Sequence, residues 1–148
     1  QISDDKLERY KLTIEMNPKR CEEELGRILL LLNNFIDKEK SVMLAKLFKA
    51  YVEKIVSWNE FCEYSEIINR LFIQDINLLK MIYNGTVSDT TNRADLFRVE
   101  RLNSLGIIGL SFKSTRITSI NGVQQENRQD SYLTMNNNGK KFMDIISK

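Results

Sequence analysis

Leu44, Leu47, Phe48, Tyr51, Val52 and Ile55 follow one another at offsets of 3, 4, 7, 8 and 11 residues, a spacing that only an α-helix gathers onto one face. Lys46, Lys49, Glu53 and Lys54 fall to the other side, so the stretch predicts an amphipathic helix that begins after Asp37. The same period governs the whole first part of the chain. Ser3 can cap a helix running to about Met16, with Leu7, Tyr10, Leu12 and Ile14 on its apolar side. Asn17-Pro18 restarts the chain, because Asn caps well and Pro suits the first helical position. The helix that follows carries Glu22, Glu23 and Glu24 in its first turn, where the macrodipole favours negative charge. It continues through Leu25, Ile28, Leu29, Leu30, Leu31, Leu32, Phe35 and Ile36, apolar around so much of its circumference that it is expected at the centre of a bundle, covered on several sides. Ser57-Trp58-Asn59-Glu60 is a capping box and opens a further helix. Phe61, Ile68, Phe72, Ile76, Leu79 and Tyr83 extend it to Asn84-Gly85, as one helix or as two with a break near Ile73-Gln74.

Beyond Gly85 the pattern changes. A polar stretch to Asn92 reads as a loop, Asn92 caps a short helix with Leu96, Val99 and Leu102 on one side and Phe97 outward, and Leu105-Gly106 ends it. Ile107 to Ile120 is rich in β-branched residues and reads as a strand, and Asn121-Gly122 is a strong hairpin signal because a type I′ turn needs positive φ at both positions. That turn fixes the register: Ile120 faces Val123, Lys113 faces Asp130, Phe112 faces Ser131 and Leu110 faces Leu133. Asn136-Asn137-Asn138-Gly139 closes the returning strand, and Lys140 to Ile146 forms a last short helix with Phe142, Ile145 and Ile146 inward. The expected fold is mainly α, a helical bundle over residues 1–84 followed by a unit with one long β-hairpin over residues 85–148, packed on or sharing the helix that ends near residue 84.

Leu102-x-x-Leu105-Gly106-Ile107-Ile108, the hairpin, and the return through Tyr132-Leu133-Thr134 to Gly139-Lys140-Lys141-Phe142 resemble the C-terminal part of a winged-helix domain. With the helix from Phe72 to Tyr83 the resemblance covers roughly residues 70–148. It departs from the usual pattern where four residues, Met135 to Asn138, separate the Leu-Thr pair from the glycine. The whole chain is also similar to uncharacterised proteins of Gram-positive bacteria and their mobile elements, which imply no activity.

Charge and chemistry narrow the function classes. Residues 1–84 hold 13 Lys/Arg against 14 Asp/Glu, and residues 85–148 hold 9 against 6, so the second part is mildly basic. The resemblance implies a DNA-binding or regulatory module in which Arg93, Arg98 and Arg101 meet phosphates or guanine edges of duplex DNA, while Lys113, Arg116 and Arg128 reach the neighbouring backbone. The alternative is a helical protein-interaction module, binding a protein partner or a second copy as a homodimer, through the leucine-rich second helix or through Trp58, Phe61 and Tyr64. Catalysis is not expected: the chain has no histidine, no glycine-rich phosphate loop and no Cys or Ser in a nucleophile setting. Asp75, between Phe72 and Ile76, is the one carboxylate out of place and is assigned to a local cap or bend. No metal or cofactor is implied. Cys21 and Cys62 stand far apart, as in a reducing, cytoplasmic setting, and the most apolar stretch, Leu25 to Ile36, is too short to span a membrane. Gln1 in place of Met, followed by Ile2-Ser3-Asp4-Asp5, reads as the interior of a longer protein.

Overall fold

The computed structural model describes residues 3–34, 37–88, 96–114 and 129–147, with the side chains of 112–114 and 129–131 excepted. Its described residues form a mainly α protein with one two-stranded antiparallel sheet. The helices are α1 (Asp4–Glu15), α2 (Pro18–Asn34), α3 (Lys38–Val52), α4 (Trp58–Arg70), α5 (Ile76–Tyr83), α6 (Leu96–Ser104) and α7 (Asn137–Ile146), and the strands are β1 (Ile108–Ser114) and β2 (Gln129–Met135). The chain divides into two compact units, one of residues 1–73 with 144–148, the other of residues 74–143.

In the first unit α1 packs on α2 and α3, and α3 packs on α4. Local chemistry sets the boundaries. The Asn17 side-chain oxygen accepts from the Arg20 backbone N–H at 3.2 Å and opens α2, whereas Ser3 precedes α1 without a side-chain cap. Ser57 and Glu60 form the expected reciprocal box. Leu44, Leu47, Phe61, Tyr64 and Ile68 make the buried centre. Phe61 stacks on Trp58 with ring centroids 5.1 Å apart, and Tyr51 leans on both. Phe61 and Tyr64 are therefore core, with Trp58 half-buried beside them.

Two expectations change. Helix α3 stops at Val52 because Lys54 turns left-handed at φ 61°, and the Ile55 N–H reaches back to the Ala50 carbonyl while the Lys54 N–H bonds that of Tyr51. That pair of bonds is a Schellman ending, and it leaves Ile55 outside the helix and exposed. The second change is α2. Among its described residues only Glu24 and Leu31 are buried, and Leu25, Leu29, Leu30 and Leu32 are open to water. A helix apolar all round is expected to be covered all round; here its packed arc is filled by Arg20, Glu24, Arg27, Ile28 and Leu31, and the remaining leucines are left exposed among the described residues.

In the second unit the helical period breaks where one of the two alternatives placed it. Ile73–Asp75 form a 3-10 turn between α4 and α5, and Phe72 is left exposed. Strand β1 pairs with β2 in the register that a turn at Asn121-Gly122 predicts: Leu110 opposite Leu133, Phe112 opposite Ser131, Lys113 opposite Asp130. The turn itself, the Ile120–Val123 pair and the cap at Asn92 lie outside the described residues. Helix α5 packs against β2 and α6 against β1, around Leu79, Val99, Leu102, Ile107, Phe142 and Met143. Helix α7 starts three residues earlier than its composition indicates because Asn136 caps it, accepting from the Gly139 N–H at 2.7 Å. The Asn136 amide also donates to the Gly106 carbonyl at 2.8 Å, tying the end of the strand to the turn after α6.

Candidate functional site

The first unit holds a carboxylate buried among helices. Glu24 is 2% exposed, and its oxygens accept from Arg20 Nε at 2.5 Å, from the Tyr51 hydroxyl at 2.6 Å and from the Tyr10 hydroxyl at 3.1 Å. Arg20 Nη2 in turn donates to the Tyr51 oxygen at 2.7 Å. Helix geometry places Arg20 and Glu24 on one side of α2, four residues apart, while α1 brings Tyr10 and α3 brings Tyr51 from either side. Burial, and then the bond to Glu24, pushes Tyr51 up to about 12. Burial and the Glu24 carboxylate raise Tyr10 well above its ordinary value, and the same carboxylate holds Arg20 more firmly charged. Over this network opens a cleft of about 320 Å³, lined by Lys6, Arg9, Tyr10, Thr13, Arg20, Tyr51, Val52, Glu53 and Lys54. With Glu22 and Glu23, Glu24 is expected in the first turn of α2. It lies beyond that turn, and its inward place was visible in its spacing of four from Ile28 and seven from Leu31.

The second unit also contains a buried acid. Asp75 is 1% exposed and stands at the N-terminal boundary of α5, yet its side chain caps nothing there. It stands in the bend between α4 and α5, and in place of capping its carboxylate forms an ion pair: Arg101 Nε and Nη2 donate to its two oxygens at 2.8 and 2.7 Å, and Arg98 Nε lies 3.9 Å away. Steric position explains the change, since Asp75 is carried inside the unit beside α6, where an uncompensated charge would be costly. Both guanidinium groups also lie over the half-exposed Phe97 ring, at 5.2 and 5.8 Å from its centre.

Of the six cations matched to duplex DNA, α6 therefore brings Arg98 and Arg101 together around an acid of their own unit. Lys113 sits opposite Asp130 in the backbone register. Arg93, Arg116 and Arg128, and the side chain of Lys113, lie outside the described residues.

A third feature is the leucine face of α2. Leu29 and Leu30 are 66% and 62% exposed, with Leu25 and Leu32 beside them at 37% and 41%. From Leu25 to Asn34 the helix carries one charge, Arg27, which turns inward to the Cys62 carbonyl and the Ser65 hydroxyl. Gly26 has nothing within 4 Å of where a Cβ would stand.

Cys21 and Cys62 are unpaired thiols, and burial raises Cys62 above its ordinary value. Among the described residues no group of three or more Cys, Asp or Glu is placed to hold a metal ion, and no helix is long and apolar enough to cross a membrane. No protein-family model matches the chain, nor does any curated protein or solved structure.

Proposed function

We propose that the chain is a non-enzymatic helical interaction module whose contact surface is the leucine face of α2 and whose partner is a second copy of the chain. The carrying observation is Leu29 and Leu30, both more than three-fifths exposed on a helix segment that presents no outward charge. Contiguous apolar surface of this kind is uncommon on a protein that acts alone. A charged partner finds nothing on it to pair with, whereas an apolar face satisfies a copy of itself across a two-fold axis. An antiparallel copy crossing at Gly26 sets Glu22 opposite Leu30 and Lys19 opposite Asn33, so like charges do not meet; a parallel copy would stack Glu22 on Glu22. The open Gly26 lets the two backbones approach at the crossing.

Duplex DNA is the competing reading, favoured by the succession of α6, the hairpin and α7 that the winged-helix resemblance requires. Its electrostatic support is reduced by the commitment of Arg98 and Arg101 to Asp75.

Sedimentation velocity of the intact chain from micromolar to millimolar concentration tests the proposal. The expected result is a concentration-dependent dimer, with a Leu29→Lys/Leu30→Lys variant monomeric at every concentration and equally helical by circular dichroism. A wild-type chain that stays monomeric throughout, or a variant that dimerises as well as wild type, overturns it.

A further inference from the structure

From the cleft above Glu24 we infer that the first unit binds a small phosphorylated anion, of the size of a diphosphate. Four cations reach the cleft from three segments: Lys6 and Arg9 on α1, Arg20 on α2, and Lys54 on the turn after α3. Against them stand Glu53 on the wall and Glu24 beneath. The cations are not equivalent. Arg9 is paired with Asp5, as Lys11 on the same helix is with Glu8. Lys6 and Lys54 have no acid within 4.0 Å among the described residues, although exposed neighbours on α1 do.

Arg20 is prepared differently. Its Nε is held by Glu24 and one amino group by Tyr51, so the guanidinium plane is fixed from behind while its Nη1 edge has no partner among the described residues. A guanidinium held in this way loses little freedom on taking an anionic oxygen. Lys54 adds a backbone observation. It adopts φ 61°, a region that costs a side-chain-bearing residue about 1 kcal/mol or more, and the residue holding it is a lysine that lines the cleft. A glycine would hold the same turn without that ammonium.

The arrangement selects among anions. Positive groups arriving from three directions suit a ligand with several charged oxygens spread over a few ångströms, which a monocarboxylate lacks. At about 320 Å³ the cleft is at the small end of ligand sites and has room for a diphosphate. The Tyr10 and Tyr51 hydroxyls both give their protons to Glu24, so recognition falls to the cations.

The test is calorimetric titration of the intact chain with inorganic pyrophosphate at low salt. Saturable one-site binding is expected, weakened about tenfold or more in Lys6→Ala/Lys54→Ala and unchanged in Lys19→Ala, which removes an exposed cation that does not line the cleft. Lys54→Gly separates the ligand role from a structural one: it is expected to raise the melting temperature while lowering affinity. Heats that never saturate overturn the inference. So does an equal loss in Lys19→Ala, which would mark diffuse surface charge, or a Lys54→Gly variant that binds as tightly as wild type.

Discussion

Glu24 shows how much a single residue can decide when three donors depend on it. Truncation to Ala leaves the Tyr10 and Tyr51 hydroxyls and the Arg20 Nε without their shared acceptor, and each unsatisfied group then bears its desolvation cost. Glu24→Ala is expected to lower the stability of the fold by about 3 kcal/mol in urea denaturation, since removing one side of a buried pair strands the other. The same network makes stability depend on alkaline pH. Tyr51 moves from an ordinary 10.0 to about 12 in the folded chain. The folded state thus holds that proton more tightly than the unfolded state, so its contribution is whole below pH 10.0 and is lost as pH rises through about 12. Tyr10 shifts in the same sense. Urea midpoints are expected to fall across that window, and Tyr51→Phe to flatten the fall while costing about 1 kcal/mol at neutral pH through the lost hydrogen bond. A midpoint that holds level from pH 10 to 12 would show the tyrosines ionising freely.

At the level of elements, what the sequence made legible is what local chemistry determines alone. Asn17-Pro18 and the Ser57-Glu60 box open helices where they should, and Asn121-Gly122 predicts the register of β1 on β2. What stayed hidden depends on a partner distant in sequence. Periodicity shows that α2 has apolar residues on every side, but not which of its sides a neighbour covers; the side that packs contains Arg20 and Glu24, whose partner Tyr51 is 27 residues from Glu24. Asp75 was conspicuous in the sequence, yet its partner Arg101 lies 26 residues on, in another helix. The start of α7 is an intermediate case. Asn136 is an ordinary cap, and the need for glycine three residues later follows from the close approach of the chain, since a Cβ at Gly139 would run into the Ile107 carbonyl and the Met135 sulfur. The carbonyl belongs to backbone that is itself bonded to Asn136, so it cannot move aside cheaply. Gly139→Ala is expected to cost about 3 kcal/mol, the upper range for overpacking, with hydrogen-exchange protection lost first at β2 and the first turn of α7. A loss near 0.5 kcal/mol would mean the turn relaxes around the methyl group.

For the whole molecule the decisive quantity is how much positive charge is left to meet a polyanion. The formal charge is +2, from 22 cationic and 20 acidic residues, so a long-range field cannot hold DNA and any affinity must come from a local set. Six cations would make such a set, each phosphate contact adding about 0.9 to the slope of log affinity against log salt. Arg101 is held by both oxygens of Asp75 and Arg98 lies beside the same acid, which removes two of the six from that count. Arg93, Lys113, Arg116 and Arg128 then set a ceiling of about 3.6 on the slope. Fluorescence anisotropy against mixed-sequence duplex is expected to show no binding at physiological salt, and at low salt a slope well under that ceiling. The variant for this measurement is Arg93→Ala/Arg116→Ala/Arg128→Ala. Replacing Arg101 would strand the buried Asp75 carboxylate and confuse lost binding with lost structure. A slope of about 5.4, falling to about 2.7 in the triple variant, would mean that Arg98 and Arg101 leave Asp75 for phosphate, and the α6 and hairpin cations would displace the α2 leucine face as the proposed working surface of the molecule.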